Sequence, residues 1–301
     1  MKALIRSMRL RTLPLSLAGV VCGGILAYGR YESSLWTLVT LFLTTVSLQI
    51  LSNLSNEMGD HLSGVDGEGR EGPNYSMADG GLTVKQMWHA INAFVVVCAV
   101  CGLAMLLISY HCSILNIQFI LMLLLGVAAI WASTHYTLGK SPYGYRGLGD
   151  IFVFIFFGLV SVLGGYFVVA HTIDSFMVFP AVGCGLLSVG VLNVNNIRDM
   201  ASDEGIRRTI PLRIGARPAK IYQTVLIVGG YGCYLIPVLL LHHSILTSPS
   251  TFLVALMAIP FALHLVGVWR RDGKALDPML PLLVISTFVL SIIFTVACYG
   301  L

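Results

Sequence analysis

Residues 35–66 read LWTLVTLFLTTVSLQILSNLSNEMGDHLSGVD, and one character gives way to another within them. From Leu35 to Asn56 no Asp, Glu, Lys or Arg interrupts a run as long as the roughly 20 residues a helix needs to cross hydrocarbon. Immediately afterwards come Glu57, Asp60 and Asp66. An uncharged span that ends in a cluster of acids sets the pattern for the whole chain.

Eight further runs without a charged residue follow or precede it: Leu13–Tyr28, Trp88–Ile108, Ile114–Ala132, Ile151–Ala170, Phe176–Ile197, Ile221–Leu241, Phe252–Trp269 and Met279–Tyr299. The 301 residues are 56% hydrophobic and only 11% charged, against roughly 25% charged in soluble domains, so lipid is the expected solvent. Lipid gives backbone amides no partner, and the runs lack the alternation of a membrane barrel. The expectation is an all-α polytopic membrane protein with nine transmembrane helices, forming one domain over residues 1–301. Lys2, Arg6, Arg9 and Arg11 before the first run suit a cleaved signal, but eight more spans favour an uncleaved first helix.

Assigning alternate connections to alternate sides gathers nearly all Lys and Arg on one side and leaves Arg30 opposite. The basic side is expected to be cytoplasmic, with the N-terminus there and the C-terminus external. The net charge of +4 is then a topology signal, and no nucleic-acid partner is expected. Seven cysteines are scattered, six of them within predicted spans, and form no disulfide framework; Cys98 and Cys101 read as packing. Isolated histidines, His61, His89, His135 and His264, read as structural.

The long polar connections all fall on the basic side. After span 2 comes SNLSNEMGDHLSGVDGEGREGPNYSMADGG (52–81), and after span 6 NVNNIRDMASDEGIRRTIPLRIG (193–215). Asn53, Asn56 and Asp60 are spaced i, i+3, i+7, and Asn196, Asp199 and Asp203 repeat that spacing, which puts each trio on one helical face. Both spans run in the same direction, so both stripes emerge on the same side. A run of acids usually marks a solvated face. Four-residue spacing beside asparagines on two helix ends points instead to carboxylates that share a hard divalent cation such as Mg²⁺ with a phosphate ligand. Asp66, Glu68 and Glu71 lie beyond Gly64, where periodicity says nothing of their geometry. Lys140, Arg198, Arg207 and Arg208 could neutralise the remaining charge of a diphosphate.

A third connection, YTLGKSPYGYRGLGDIFVF (136–154), carries Tyr136 and Lys140 four apart in a Gly/Pro-shaped turn. Phe152, Phe154, Phe156 and Phe157 follow it and read equally as cavity aromatics or as lipid-facing bulk. An ion-coupled transporter is the rival class. It is disfavoured because transport sites tend to lie at the midplane, whereas these spans carry no charge and both clusters face one side.

With RTLPLSLAG (11–19), NEMGDHLSGVD (56–66) and the two later loops in view, the chain resembles the UbiA-type intramembrane prenyltransferases over nearly its whole length. Within them it is similar to the bacterial branch that acts on 1,4-dihydroxy-2-naphthoate in menaquinone synthesis. The resemblance implies nine helices around a lipid-accessible cavity in the bacterial cytoplasmic membrane, with Mg²⁺ as cofactor and the active site towards the cytoplasm. It implies a polyprenyl diphosphate donor and 1,4-dihydroxy-2-naphthoate as acceptor, prenylated with loss of CO₂ to give demethylmenaquinone; 4-hydroxybenzoate, homogentisate or a porphyrin are the alternative acceptors.

By the same resemblance Asn56, Asp60 and Asp66 form a first aspartate motif and Asn195, Asp199 and Asp203 a second. Asp60, Asp66, Asp199 and Asp203 become the metal ligands and catalytic residues, and Tyr136 and Lys140 match a Tyr-x-x-x-Lys signature. The implied diphosphate site is Asn56, Tyr136, Lys140, Asn195, Arg198, Arg207 and Arg208. The chain departs from the commoner pattern at Glu57 and Gly64, where the superfamily usually has Asp, and at Asn74 and Tyr75, where an arginine usually follows Gly72-Pro73.

Overall fold

The computed structural model describes residues 2–64, 76–242 and 249–299. Among them there is no strand, and nine helices are long and apolar enough to cross a membrane. They are α1 (Lys2–Arg30), α2 (Leu35–Ser63), α3 (Val84–Ser109), α4 (Ile117–His135), α5 (Gly149–Ala170), α6 (Ser175–Arg198), α7 (Ala216–Leu241), α8 (Pro249–Arg270) and α9 (Gly273–Cys298).

Local chemistry fixes several of the helix ends. Ser34 Oγ accepts from Trp36 N to start α2, and a reciprocal capping box between Thr83 and Gln86 starts α3. Asn116 accepts from Gln118 N, so α4 begins at Ile117 and not at the apolar Ile114. Apolarity alone extends a span past its cap. At the other end of α2 the helix outlasts the uncharged span, as the i, i+3, i+7 stripe required: it runs through Glu57 and Asp60 to Ser63 and stops where Gly64 takes φ +76°. The acids therefore belong to the helix and inherit its rigidity.

The main core lies between α1, α5, α6, α7, α8 and α9, around the fully buried Tyr166, Leu187, Tyr234 and Phe294. Small residues let backbones meet inside it, as is usual where lipid removes the hydrophobic drive between helices. A Cβ on Gly158 of α5 would stand 2.6 Å from Ala181 O and from the Gly185 Cα of α6. A second core of Leu51, Leu54, Met58, Met77, Met87 and Ile91 joins α2 and α3 to the turn after residue 75. By contrast, α3 and α4 leave Val96, Val100, Leu121, Leu124 and Val127 exposed, an apolar surface that needs lipid.

The first and last described residues sit at opposite ends of the bundle. Ser76 Oγ donates to Ala3 O beside the acid-bearing end of α2, whereas Tyr299 packs on Gly29 next to Arg30.

Candidate active site

Two connections and the end of α2 meet at one end of the bundle. Tyr143 OH donates to Ala132 O (2.7 Å) and Gly144 N to Tyr136 O (2.9 Å), which folds the segment after α4 back on its own helix. Arg208 N donates to Tyr145 O (3.0 Å) and Arg213 Nη2 to Arg146 O (3.0 Å), which stitches that segment to the one after α6. Gly147, at φ +82°, has Arg208 O 2.6 Å from where a Cβ would stand, so a side chain there would part the two loops. Finally Tyr145 OH donates to Asp60 Oδ1 (3.0 Å) and pairs with Ser63 Oγ (2.8 Å), bringing in α2.

The second acidic stripe keeps its helical phase beyond the end of α6. Asp199 N donates to Asn195 O and Asp203 N to Asp199 O, so Asp199 and Asp203 stay one turn apart although the backbone leaves ideal helix at Asp199. Arg198 grips Asp199 with two bonds of 2.7 Å, and also donates to Asn195 Oδ1 (2.7 Å) and to Asp277 Oδ1 (2.9 Å), at the start of α9. This planar, bidentate pairing fixes Asp199 to two helices at once.

The two stripes meet at Arg207. Its Nη2 pairs with Asp60 Oδ1, its Nε lies 3.6 Å from Asp203 Oδ1, and its guanidinium covers the Tyr145 ring at 4.8 Å. Burial works against that charge, but Asp60 and then Asp203 outweigh it and hold the Arg207 pKa above its usual value. Burial also pushes the phenols of Tyr136 and Tyr145 up to about 12, so both are neutral donors at any physiological pH.

Beneath this polar lid lies a cavity of about 360 Å³. Asn56, Asp60, Asn195, Asn196, Arg198, Asp199, Ser202, Asp203 and Arg207 line its charged end, with Tyr136 among them. Its walls run inward past Tyr143, Phe152, Phe156 and Phe157 to Met105, Met122, Leu125 and Val160. Tyr143 stacks on Phe152 at 3.9 Å and Phe152 on Phe156 at 6.2 Å, presenting π faces along one side. The aromatic reading thus holds for Phe152, Phe156 and Phe157, while Phe154 turns away and packs on Gly185.

Of the sequence-derived site, Asn56, Asp60, Tyr136, Asn195, Arg198, Asp199, Asp203 and Arg207 are brought together. Lys140 and Arg208 are not: both are exposed on the loops above and neither lines the cavity. Gly139, at φ +102°, turns the chain outward just before Lys140. Asp66 lies outside the described residues, as do positions 67–75 with their acids and Asn74 and Tyr75. Glu57 is fully buried, faces away from the cavity and accepts from Met77 N (2.9 Å), a structural task. His264 is likewise buried against Gln223 and Met279 O.

Three contributors escaped the sequence reading. Arg9 lines the cavity from a left-handed turn (φ 48°) inside α1, a basic residue that orientation alone had seemed to explain. Tyr145 had the signal of a third tyrosine in a shaped loop, and Asp277 had none, since only tertiary packing brings it to Arg198.

A model of the UbiA prenyltransferase family matches residues 16–299. The chain belongs to the UbiA prenyltransferase family. Among curated relatives in sequence, a 1,4-dihydroxy-2-naphthoate octaprenyltransferase of Escherichia coli (strain K12) is 35% identical over 299 residues, covering 99% of this chain and 95% of the relative. A protein of the same name from Haemophilus influenzae is 35% identical over 294 residues, 95% of this chain and 92% of the relative. In fold, this family member is similar to a UbiA homolog from Archaeoglobus fulgidus bound to GPP and Mg²⁺, with TM-score 0.69 at 16% identity, covering 99% of this chain and 98% of that one. The chain is thus a multi-pass membrane enzyme of a prenyltransferase family.

Among the described residues no three His, Cys, Asp or Glu side chains close a metal cage by themselves. Mg²⁺ needs none, because it is held by one or two carboxylates, by water and by phosphate oxygens. The hard oxygens of Asp60, Asp199, Asp203, Asn56 and Asn195 around one cavity, their negative charge already drawing two arginines, fit such an ion.

Proposed function

We propose that this enzyme transfers a polyprenyl chain from polyprenyl diphosphate to 1,4-dihydroxy-2-naphthoate, with loss of CO₂, giving diphosphate and the quinol form of demethylmenaquinone. One observation carries the reading: two carboxylate-bearing helix ends meet, through Arg207, at the mouth of a cavity whose interior is apolar and aromatic. The naphthoate acceptor is supported by the names of the relatives that match nearly the full length.

Asp60, Asp199 and Asp203, with Asp66 outside the described residues, would hold Mg²⁺, which when bound supplies positive charge to the leaving diphosphate. Asn56 and Asn195 flank those carboxylates. Arg207 and Arg198 offer guanidinium donors to the phosphate oxygens, and Tyr136 adds a neutral phenol. Lys140 and Arg208 remain candidates for the same anion only if their loops turn inward on binding. As the allylic C–O bond breaks, the π faces of Phe152, Phe156 and Tyr143 stabilise the positive charge left on the prenyl carbon. The electron-rich ring attacks that carbon and the carboxylate leaves as CO₂. Met105, Met122, Leu125 and Val160 seat the isoprenoid tail and keep out the water that would trap the cation.

The excess of Lys and Arg in the connections at this end supports a cytoplasmic side for the site and the N-terminus, in a bacterial inner membrane with the C-terminus external. Purified enzyme incubated with Mg²⁺, a polyprenyl diphosphate and a panel of aromatic acids tests the assignment. Labelled CO₂ released from carboxyl-labelled 1,4-dihydroxy-2-naphthoate, with a prenylated naphthoquinol by mass, is the expected result. A prenylated hydroxybenzoate that keeps its carboxylate, with no turnover of the naphthoate, would overturn it.

A further inference from the structure

The two arginines at the cavity mouth are held in different ways. Arg198 belongs to α6, is buried, and donates to Asp199, Asn195 and Asp277 from a rigid helix. Arg207 comes from the non-helical connection between Asp203 and Thr209, two residues after Gly205, at φ +79°. Its guanidinium is held by the Asp60 and Asp203 carboxylates and the Tyr145 ring, and its backbone by Arg207 N to Asp203 O (3.0 Å), with Ile206 N to Asp203 O (3.1 Å) and Arg208 N to Tyr145 O (3.0 Å) on either side. Asp60 and Asp203 come from different helices and would repel each other without a cation between them. A cation delivered by a loop can be withdrawn as the loop shifts.

We infer that Arg207 is a resident counter-ion that holds the two acidic helix ends together before metal arrives, and that it leaves the carboxylates for the diphosphate when metal and donor bind. The inference rests on the reading of Asp60 and Asp203 as metal ligands. It makes Arg207 a positioning residue with two opposed effects. Metal alone must compete with it, which weakens apparent metal affinity by the fraction of time the site is taken. Metal with diphosphate gains from it, because the displaced guanidinium has a new anion to grip.

Mn²⁺ as a paramagnetic probe separates these effects by counting bound ion in detergent-solubilised enzyme, with and without inorganic diphosphate. Arg207→Gln is expected to bind Mn²⁺ alone about tenfold more tightly than wild type and the Mn²⁺–diphosphate pair more weakly, with Arg207→Lys close to wild type for the ion alone. In the absence of metal the Gln variant should melt at a lower temperature, and Mn²⁺ should restore it. Unchanged or weaker binding of Mn²⁺ alone to Arg207→Gln would overturn the inference. If the variant does not fold, hydrogen exchange on wild type decides. Exchange over residues 204–209 should speed up on adding Mn²⁺ alone and slow when diphosphate follows, and no response to Mn²⁺ alone would overturn the inference. Wild type that binds Mn²⁺ neither alone nor with diphosphate would sink the metal site itself, and the inference with it.

Discussion

Each end of the bundle pairs an aspartate with an arginine, and the two ends use that pair differently. At the end away from the cavity, Asp174 accepts from Arg30 (2.9 Å), Tyr31 (2.9 Å) and Tyr166, while Arg30 lies 4.7 Å over the Phe176 ring. None of these residues lines the cavity. Three donors and a ring are spent on one carboxylate, and the result is a fastener between α1, α5 and the start of α6. At the other end Asp60, Asp199 and Asp203 with Arg198 and Arg207 all line the cavity. There the same kind of ion pair opens onto space that an anion can enter, which is what the proposed function requires of it.

The largest effect should come from breaking the open end. Asp203→Asn keeps shape and removes one charge, and it should cost on the order of 10²–10³-fold in kcat/KM, as loss of a preorganised electrostatic group does. Elution volume and helical circular dichroism should stay as in wild type. Activity within about tenfold of wild type would remove Asp203 from the metal site.

The matching change at the closed end should leave turnover alone and lower stability. Asp174→Asn is expected to cost about 1.5–3 kcal/mol, the worth of hydrogen bonds to a charged group, with kcat unchanged. Burial alone would raise the Asp174 pKa, but Tyr166, Tyr31 and Arg30 outweigh it and hold it below the ordinary carboxylate value. Its stabilisation is therefore complete above the unfolded pKa of about 3.9 and fades as pH falls through the lower folded value. The variant should lose that acid-dependent part of the melting curve. A kcat that falls with the stability would mean that the two ends are coupled and not separate.

The contrast between the ends also marks how far the sequence could be read. The nine spans and the acidic stripes were legible because hydropathy and a four-residue spacing are local properties, and Asp60, Asp199 and Asp203 duly share one cavity. What decides between fastener and site is not local. The pairing of Arg30 with Asp174 was out of reach because they lie 144 positions apart, and Asp277 reaches Arg198 only through the packing of α9 on α6. Arg9 was hidden for another reason: a positive charge before the first span has a sufficient explanation in membrane orientation. Lys140 shows the converse limit: its spacing from Tyr136 says nothing of Gly139, which at φ +102° leaves the lysine exposed above the cavity.

Tyr136 offers a finer test of the open end. Its pKa of about 12 means that the phenol serves as a neutral donor, not as a base. Tyr136→Phe should therefore lower kcat/KM by about tenfold, the value of one hydrogen bond to a charged group. The pH–rate profile between 7 and 10 should keep its shape, because no group that titrates there has been removed. Loss of an alkaline limb in the variant would show that the phenolate takes part.

The smallest effect is expected at Lys140, and it separates spacing from geometry most directly. If the site is as the structure has it, the ammonium is a solvent-exposed charge, worth roughly 0–1 kcal/mol to a nearby anion, so Lys140→Ala should raise the KM for the prenyl diphosphate by no more than about fivefold. That small rise should shrink further with added salt, because an exposed charge acts through screened solvent. A rise well beyond tenfold that is confined to the donor and insensitive to salt would mean that residues 137–142 swing inward on binding. The resting loop would then be an open form, and the Tyr-x-x-x-Lys spacing would describe the closed one.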